Sequence, residues 1–291
     1  MTALFLPSPP VSSFGIGPFT IHCYALCILS GIVLAWWLSR RRLRDRGAEP
    51  GDFDSMMGWA VVAGIVGARA YHVVTDHELY FGPGRDPVDV LRIWNGGLGI
   101  WGAVIAGGLV VWVWCRAHRV RFGAVADAVA PALLLAQGIG RLGNWFNQEL
   151  FGRPSTLPWA LEIDPAHRPS GYGQYATFHP TFAYELVWDV AGGLLLLWAS
   201  GRFRLGRGKT FTAYVAYYCL GRFFIEALRI DPANRIGGMR LNNWTSALGF
   251  VLAVALLCWQ GTFNFTIHSF VFQCIPFHFI PLHSIPFHSI A

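Results

Sequence analysis

The stretch "AVAPALLLAQGIGRLGNWFNQELFG", residues 128–152, begins as an apolar segment and ends in polar side chains. Its first half suits a lipid bilayer, whereas its second half carries an arginine, a glutamate and three amides: Arg141, Asn144, Asn147, Gln148 and Glu149. Burying such groups in hydrocarbon is costly. Either the segment lies outside a membrane or its polar residues have a function, and the remainder of the sequence distinguishes these possibilities.

The composition of the 291-residue chain is that of a membrane protein. It is 54% hydrophobic and only 13% charged, with a mean hydropathy of +0.43, whereas soluble domains are about 25% charged. Seven windows approach the ~20 residues that a helix needs to cross a bilayer: 19–39, 55–74, 98–115, 124–146, 181–200, 211–228 and 243–260. We therefore predict an all-α integral membrane protein with seven transmembrane helices in the lipid bilayer.

The basic residues predict the orientation of these helices. The loops "RRRLRDR", "RAHRVR" and "GRFRLGRGK", which follow the first, third and fifth spans, hold most of the 22 lysine and arginine residues. The positive-inside rule places these loops and the C-terminus in the cytoplasm, with the N-terminus outside. Because the basic residues are divided among short loops and form no single face, the net charge of +6 does not indicate nucleic-acid binding.

The chain divides into an outer N-terminal segment, a seven-helix domain and a low-complexity tail: residues 1–18, 19–260 and 261–291. The tail repeats every five residues, with His278, His283 and His288 in step. A proline at every fifth residue prevents the tail from forming a helix. A metal site would need histidines that converge on one point. The repeat therefore fits a dispensable appendage, or translation past a shifted reading frame, better than a metal site. The six cysteines form no CxxC pair, and we predict neither metal nor cofactor.

Three arginines lie inside or at the edge of predicted spans: Arg69, Arg141 and Arg222. Each costs ~2.5–3.5 kcal/mol if placed at the centre of a membrane helix. The predicted topology places all three toward the outer ends of their helices. Three further residues fall at the outer starts of the first, third and fifth helices: Tyr24, Trp101 and His179. The unusual residues of six helices therefore converge on the outer half of the membrane.

Two spans present a polar face at helical spacing: Gln137, Arg141 and Asn144 in the fourth span, and Tyr218, Arg222 and Glu226 in the sixth. Two arginines directed at one cavity suit a phosphate group, because a guanidinium binds phosphate through two parallel hydrogen bonds. Glu226, one turn after Arg222, is placed to orient that arginine. The alternative interpretation is that these groups pair with one another and only join the helices.

The string "GRLGNWFNQELFGRP", residues 140–154, resembles the central motif of the prolipoprotein diacylglyceryl transferase family. Further strings resemble family segments in the family's order: "LPSPP", "YALCILSGI", "VGARAYHVVTD", "WNGGLGIWGAVIAGG", "HPTFAYEL" and "GRFFIEALRIDP". The resemblance covers about residues 5–257. It implies a bacterial plasma-membrane enzyme, with its active site toward the outer face and no cofactor. Such an enzyme transfers the diacylglyceryl group of phosphatidylglycerol to the lipobox cysteine thiol of a prolipoprotein signal peptide and releases glycerol phosphate.

The resemblance also implies the residues of the site. Arg141 matches the family arginine that binds the phosphatidylglycerol headgroup, and Arg222 matches a second required arginine. Together with the polar faces, this predicts five catalytic residues: Arg141, Arg222, Glu226, Tyr24 and His179. It predicts seven residues that bind phosphatidylglycerol: Arg141, Asn144, Asn147, Glu149, Gly152, Tyr218 and Arg69.

Trp101 departs from the family pattern. Many members have a histidine there, proposed as the base that deprotonates the thiol, and tryptophan cannot do this. The candidate bases that remain are His179, His72 and Glu149, in falling order of preference, although a cap at the start of the fifth span explains His179 equally well. Alternatively, nearby arginines ionise the thiol by lowering its pKa.

Two further alternatives stay open at this stage. The outer loop at residues 153–178 is either a lid that meets the signal peptide or a plain surface connection. The chain as a whole could instead transport an anionic or phosphate-bearing solute. Transporters usually place their site near the membrane midplane and show two related halves. The transferase is favoured because this chain has no internal repeat and its polar residues gather toward one face.

Overall fold

The computed structural model describes residues 5–17, 19–45, 50–82 and 84–261. Seven long helices and one single-turn helix follow one another along these residues: α1 (Cys23–Arg44), α2 (Pro50–Thr75), α3 (Glu78–Phe81), α4 (Ile100–Ala117), α5 (Phe122–Asn147), α6 (Thr181–Arg202), α7 (Lys209–Leu228) and α8 (Leu241–Trp259). Short 3₁₀ turns lie in the connections: Pro87–Leu91, Ile93–Asn95 and Pro165–His167. The seven long helices match the seven predicted positions. The histidine repeat of the tail lies outside the described residues.

Six of the helices are long and apolar enough to cross a membrane: α1, α2, α4, α5, α6 and α8. This supports the prediction of an all-α integral membrane protein. Helix α7 is also 20 residues long, but it carries three charged side chains and is not among the six helices that are apolar enough within the described residues. The seventh crossing therefore stays a prediction.

Helix α5 lies at the centre of the bundle, where it packs against α1, α6 and α7. Its alanines Ala128, Ala130 and Ala132 are fully buried, and such small residues let neighbouring membrane helices approach closely. At the sides of the bundle, α2 pairs with α4 and α7 pairs with α8. Helices α2 and α4 cross at glycines, because a Cβ atom at Gly67 would lie only 2.5 Å from the carbonyl oxygen of Gly102.

A buried carboxylate fixes the end of the bundle that carries the basic loops. Asp127 of α5 is fully buried and accepts hydrogen bonds from the backbone N–H groups of Gly208, at 2.9 Å, and Phe211, at 3.0 Å. The first N–H groups of a helix lack partners within it, and an acidic group there is favourable. Arg42 of α1 donates to the Asp127 carbonyl oxygen at 3.2 Å and to Ser200 Oγ of α6 at 3.1 Å. Four helices are thereby tied together.

Three short antiparallel strand pairs lie at the opposite end: β1 (Ser13–Ile16) with β2 (Phe19–His22), β3 (Leu161–Glu162) with β4 (Thr177–Phe178), and β5 (Arg235–Ile236) with β6 (Met239–Arg240). The first pair explains one difference from the predicted spans. Because Phe19–His22 pairs as a strand, α1 begins at Cys23 and not at residue 19.

The connection between α5 and α6 is a packed cap. Its core is made of buried apolar side chains: Phe151, Leu161, Ile163, Phe178 and Phe182. Leu6, from the N-terminal segment, forms a β-bridge with Leu161. At the end of α5, Gln148 adopts a left-handed conformation and its Oε1 atom accepts from the backbone N–H of Asp164 at 2.8 Å. These contacts join the connection to the N-terminal segment and to the end of α5; whether it also meets a signal peptide stays a prediction.

Candidate active site

Five of the six residues of the two predicted polar faces line one cavity of about 570 Å³ between α1, α2, α5, α7 and the first residue of α4. Its polar side chains come from three helices: Tyr24, Gln137, Arg141, Asn144, Tyr218 and Arg222. The remaining wall includes apolar side chains: Ile28, Met57, Val61, Ile100 and Leu133. The cavity thus combines a cationic, hydrogen-bonding region with an apolar wall, which suits a ligand that has a charged headgroup and hydrocarbon chains.

One buried carboxylate joins the two arginines of the cavity. Glu185 of α6 forms an ion pair with Arg141 through its Oε2 atom, and its Oε1 atom lies 2.6 Å from Arg222 Nη1. The sequence prediction missed Glu185 because it looked for polar faces only around the three arginines of the spans, and the fifth span has none. The signal was present, since Glu185 and Asp189 are two carboxylates one turn apart in an otherwise apolar window.

Glu226 lies behind Arg222, as its one-turn spacing predicts. Its Oε2 atom is 2.7 Å from Arg222 Nη2, and the side chain is fully buried. Glu226 was predicted to be catalytic, yet it does not line the cavity. The structure places it where it acts on Arg222 and not directly on a ligand.

Arg141 keeps its terminal nitrogens for a ligand. Its Nε atom faces Glu185, and among the described residues its two Nη atoms have no hydrogen-bond or ion-pair partner. Arg141 shares its one carboxylate, Glu185, with Arg222, whereas Arg222 also contacts Glu226, so Arg141 is the less completely neutralised of the two arginines. A phosphodiester carries one negative charge, and two free N–H groups match its oxygens in bidentate geometry.

Tyr24 reaches the cavity because α5 has a glycine opposite it. A Cβ atom at Gly143 would lie 2.4 Å from Tyr24 Cδ2, so the ring lies directly against the α5 backbone. Tyr24 thus takes its place in the cavity wall through a close helix–helix contact.

Gly143→Ala is expected to lower the catalytic rate about tenfold, because it displaces Tyr24 and small misplacements in a site have large kinetic effects. The measurement is kcat and KM for the reaction proposed below. Gly58→Ala is the matched control, since a Cβ atom there meets no other atom within 4 Å. Equal rates for the two variants would contradict a role for the Tyr24 contact.

The predicted residues Asn144, Asn147 and Glu149 form a local cluster at the end of α5. Asn144 Nδ2 donates to Glu149 Oε1 at 2.9 Å, and Asn147 Nδ2 donates to the same oxygen at 3.4 Å. The backbone N–H of Glu149 donates to the Asn144 carbonyl oxygen at 3.1 Å. Of the three, only Asn144 lines the cavity, so Asn147 and Glu149 hold the end of the helix that presents it.

Comparison with known proteins indicates the family. Residues 11–259 match the family model "Prolipoprotein diacylglyceryl transferase". The chain belongs to this family. It is 56% identical to the phosphatidylglycerol–prolipoprotein diacylglyceryl transferase of Cutibacterium acnes, over 88% of this chain and 87% of the relative. It is 53% identical to transferase 2 of Streptomyces coelicolor, over 88% and 81%, and 50% identical to the Corynebacterium glutamicum enzyme, over 87% and 84%. These similarities do not favour the transporter alternative.

In this member of the diacylglyceryl transferase family, His179 and Gly152 lie beside the cap and do not line the cavity. The His179 Nδ1 atom is 3.1 Å from the Tyr184 hydroxyl group. Its pKa is lowered from the ordinary 6.5 by burial and, secondarily, by Arg153, so the ring is neutral at pH 7. A Cβ atom at Gly152 would lie 2.8 Å from His179 Cβ, which makes Gly152 a close-packing position.

Arg69 was predicted to bind the substrate, but in this member of the transferase family it lies outside the cavity. The side chain is 7% exposed and donates to five backbone carbonyl oxygens: those of Asp89, Val90, Arg92, Gly96 and Gly97. Its guanidinium carbon also lies 4.8 Å from the centre of the Tyr80 ring. Its donors are occupied by the loop before α4, and the residue does not line the cavity. Arg69 therefore organises that loop.

Trp101 is 53% exposed, whereas its neighbour Ile100 lines the cavity. We expect Trp101→His to leave both the reaction rate and its pH profile unchanged, because the side chain at this position is not part of the cavity wall. The measurement is the pH dependence of kcat/KM for the wild type and the variant. A faster variant with a new titration near the ordinary histidine pKa would contradict this expectation and identify position 101 as the place for a base.

Proposed function

We propose that this chain transfers the diacylglyceryl group of phosphatidylglycerol to the lipobox cysteine thiol of a prolipoprotein and releases glycerol phosphate. The observation that carries the proposal is the pair Arg141 and Arg222, joined by Glu185 beside an apolar cavity wall. The names of the family and of the relatives from Cutibacterium acnes and Streptomyces coelicolor support the same reaction.

The reaction forms one C–S bond and breaks one C–O bond. The thiolate sulfur attacks the glyceryl carbon that bears the phosphodiester, and the bonding electron pair leaves on a phosphate oxygen. Negative charge grows on that phosphate as the bond breaks. Arg141 binds the phosphate through its free Nη groups, and Arg222 is the second guanidinium group in the cavity wall. Donors placed where charge develops commonly contribute about 3–4 kcal/mol each to lowering the barrier.

The thiol must lose its proton before it attacks. The two arginines of the cavity wall favour a thiolate, since nearby cationic groups lower the pKa of a thiol. We propose that this field lowers the pKa of the cysteine enough for its proton to pass to water, without a dedicated protein base. His179 is the alternative base, because it is neutral at pH 7, but its position outside the cavity wall makes direct contact with the thiol less favourable.

We further propose seven membrane crossings in the bacterial plasma membrane, with the N-terminus outside, the C-terminus cytoplasmic and the site toward the outer face. Helix α7 has 20 residues, which span ~30 Å, the thickness of the hydrocarbon core. The basic loops after α1, α4 and α6 lie at the Asp127 end of the bundle. Arg141 is near the other end of α5, where the topology prediction places the outer leaflet.

The test is an assay of purified, detergent-solubilised protein with phosphatidylglycerol and a peptide that contains a lipobox cysteine. The peptide is expected to gain the mass of one diacylglyceryl group, and a peptide with serine in place of the cysteine is expected to gain none. Folded protein that adds no mass would contradict the proposal. Glycerol phosphate uptake into vesicles that contain such inactive protein would favour the transporter.

A further inference from the structure

An arginine outside the helical bundle reaches the buried carboxylate behind the cavity. Arg240 Nε donates to Glu226 Oε1 at 2.6 Å, and Glu226 Oε2 lies 2.7 Å from Arg222 Nη2. We propose that Arg240 is a positioning residue, which fixes the Glu226 carboxylate and, through it, the Arg222 guanidinium. The inference rests on the proposed function, because it assigns Arg240 a part in the same reaction.

A tight hairpin presents Arg240 to Glu226. Between β5 and β6, Gly237 and Gly238 have φ angles of 57° and 80°, and a two-residue hairpin turn with positive φ at both positions strongly favours glycine. The hairpin is held against α8, because Trp244 Nε1 donates to the Ile236 carbonyl oxygen at 3.0 Å. Arg240 is the residue that immediately precedes α8. The turn therefore sets the position from which Arg240 reaches α7.

Asp231 holds Arg240 from a second direction. The Asp231 carboxylate lies 2.8 Å from Arg240 Nη2, and its other oxygen accepts from Arg229 Nε at 2.7 Å. Burial alone would raise the pKa of Asp231, but the two arginines outweigh burial and hold that pKa below its ordinary value. Arg240 is thus fixed between two carboxylates, and its own side chain is buried.

Glu226 needs this support because it is fully buried and contacts several arginines. Its Oε2 atom faces Arg222 at 2.7 Å and Arg229 at 3.5 Å, while its Oε1 atom accepts from Arg240 and from Asn242 Nδ2, the latter at 3.1 Å. Without Arg240, the Oε1 atom keeps only a neutral donor. The carboxylate then has no charged group at that oxygen, so it fixes the Arg222 guanidinium less firmly.

The experiment compares Arg240→Met and Arg240→Lys with the control Arg235→Met. Arg235 lies in the same hairpin, is exposed, and has no ion-pair partner among the described residues. We expect Arg240→Met to lower kcat by roughly 10- to 100-fold with a smaller change in KM for phosphatidylglycerol, because a displaced Arg222 supports the transition state less well. Arg240→Lys is expected to recover part of the rate, and Arg235→Met to match the wild type.

A double-mutant cycle separates positioning from general stability. If Arg240 acts through Glu226, adding Arg240→Met to Glu226→Gln is expected to lower the remaining rate by less than about twofold, since coupled residues are not additive. Equal losses in both backgrounds, or Arg240→Met with wild-type kcat, would overturn the proposal. If Arg240→Met does not fold, Arg240→Lys is the deciding variant. A wild-type kcat with a wild-type melting temperature would overturn the positioning role of Arg240. A lowered kcat at an unchanged melting temperature would support that role. A wild type that transfers no diacylglyceryl group would overturn the proposed function instead.

Discussion

Arg141→Ala is expected to lower kcat/KM by about 10²–10³-fold, because it removes the two free Nη groups placed to bind the substrate phosphate. A loss of this size is typical when one donor to a developing negative charge is deleted. The substitution also takes one of two cationic partners from Glu185, whose side chain is buried. Arg141→Lys keeps the charge but not the paired geometry, so we expect it to recover only part of the rate.

The measurement for Arg141 is the initial rate of thioether formation, followed by mass spectrometry over a range of phosphatidylglycerol concentrations. Arg85→Ala is the matched control, since Arg85 is exposed and its side chain has no hydrogen bond or ion pair among the described residues. A folded Arg141→Ala protein that reacts as fast as the control would remove Arg141 from the proposed mechanism.

Glu185→Gln is expected to lower kcat/KM by roughly 10- to 100-fold, although glutamine has nearly the same shape. The carboxylate forms an ion pair with Arg141 through one oxygen and accepts a hydrogen bond from Arg222 at the other, so it sets the separation of the two guanidinium groups. Glutamine offers one acceptor and one donor, and its NH₂ group would face a guanidinium that also donates. At least one arginine must then shift, and misplacing groups that bind the transition state is costly.

The matched control for Glu185 is Glu162→Gln, which changes an exposed glutamate of β3 whose carboxylate forms no hydrogen bond or ion pair among the described residues. Rates are measured as for Arg141, together with the melting temperature in detergent. The combination Arg141→Ala with Glu185→Gln is expected to lose less than the product of the single losses, because the residues act as one unit. Fully multiplicative losses would mean that Glu185 does not act through Arg141.

The helices and the cavity arginines were predictable because their signals are local. Seven apolar windows mark seven helices, and the spacing around Arg141 and Arg222 places each on a polar helix face. Glu226 followed from its single-turn distance to Arg222. In each case the sequence separation is a few residues, so the 3.6-residue period of a helix carries the information.

The partners of these arginines were not predictable in the same way. Glu185 is 37 residues from Arg222, and Arg240 is 14 residues from Glu226 across a turn, so helix packing and a hairpin bring them together. Arg69 shows the converse problem. Its depth suggests a ligand site, but its guanidinium serves the carbonyl groups of a loop whose course the sequence does not reveal.

The carboxylate of Asp127 has a consequence for how the chain is made. Its two amide partners, in Gly208 and Phe211, follow it by 81 and 84 residues. At a synthesis rate of roughly 5–20 residues per second, α5 waits about 4–17 s in the ribosome-bound chain before α7 supplies those amides. During that interval the central helix carries an acidic group without its final partners. Arrival of α7 ends the exposure, so a chain interrupted before α7 keeps a buried acidic group without these two partners.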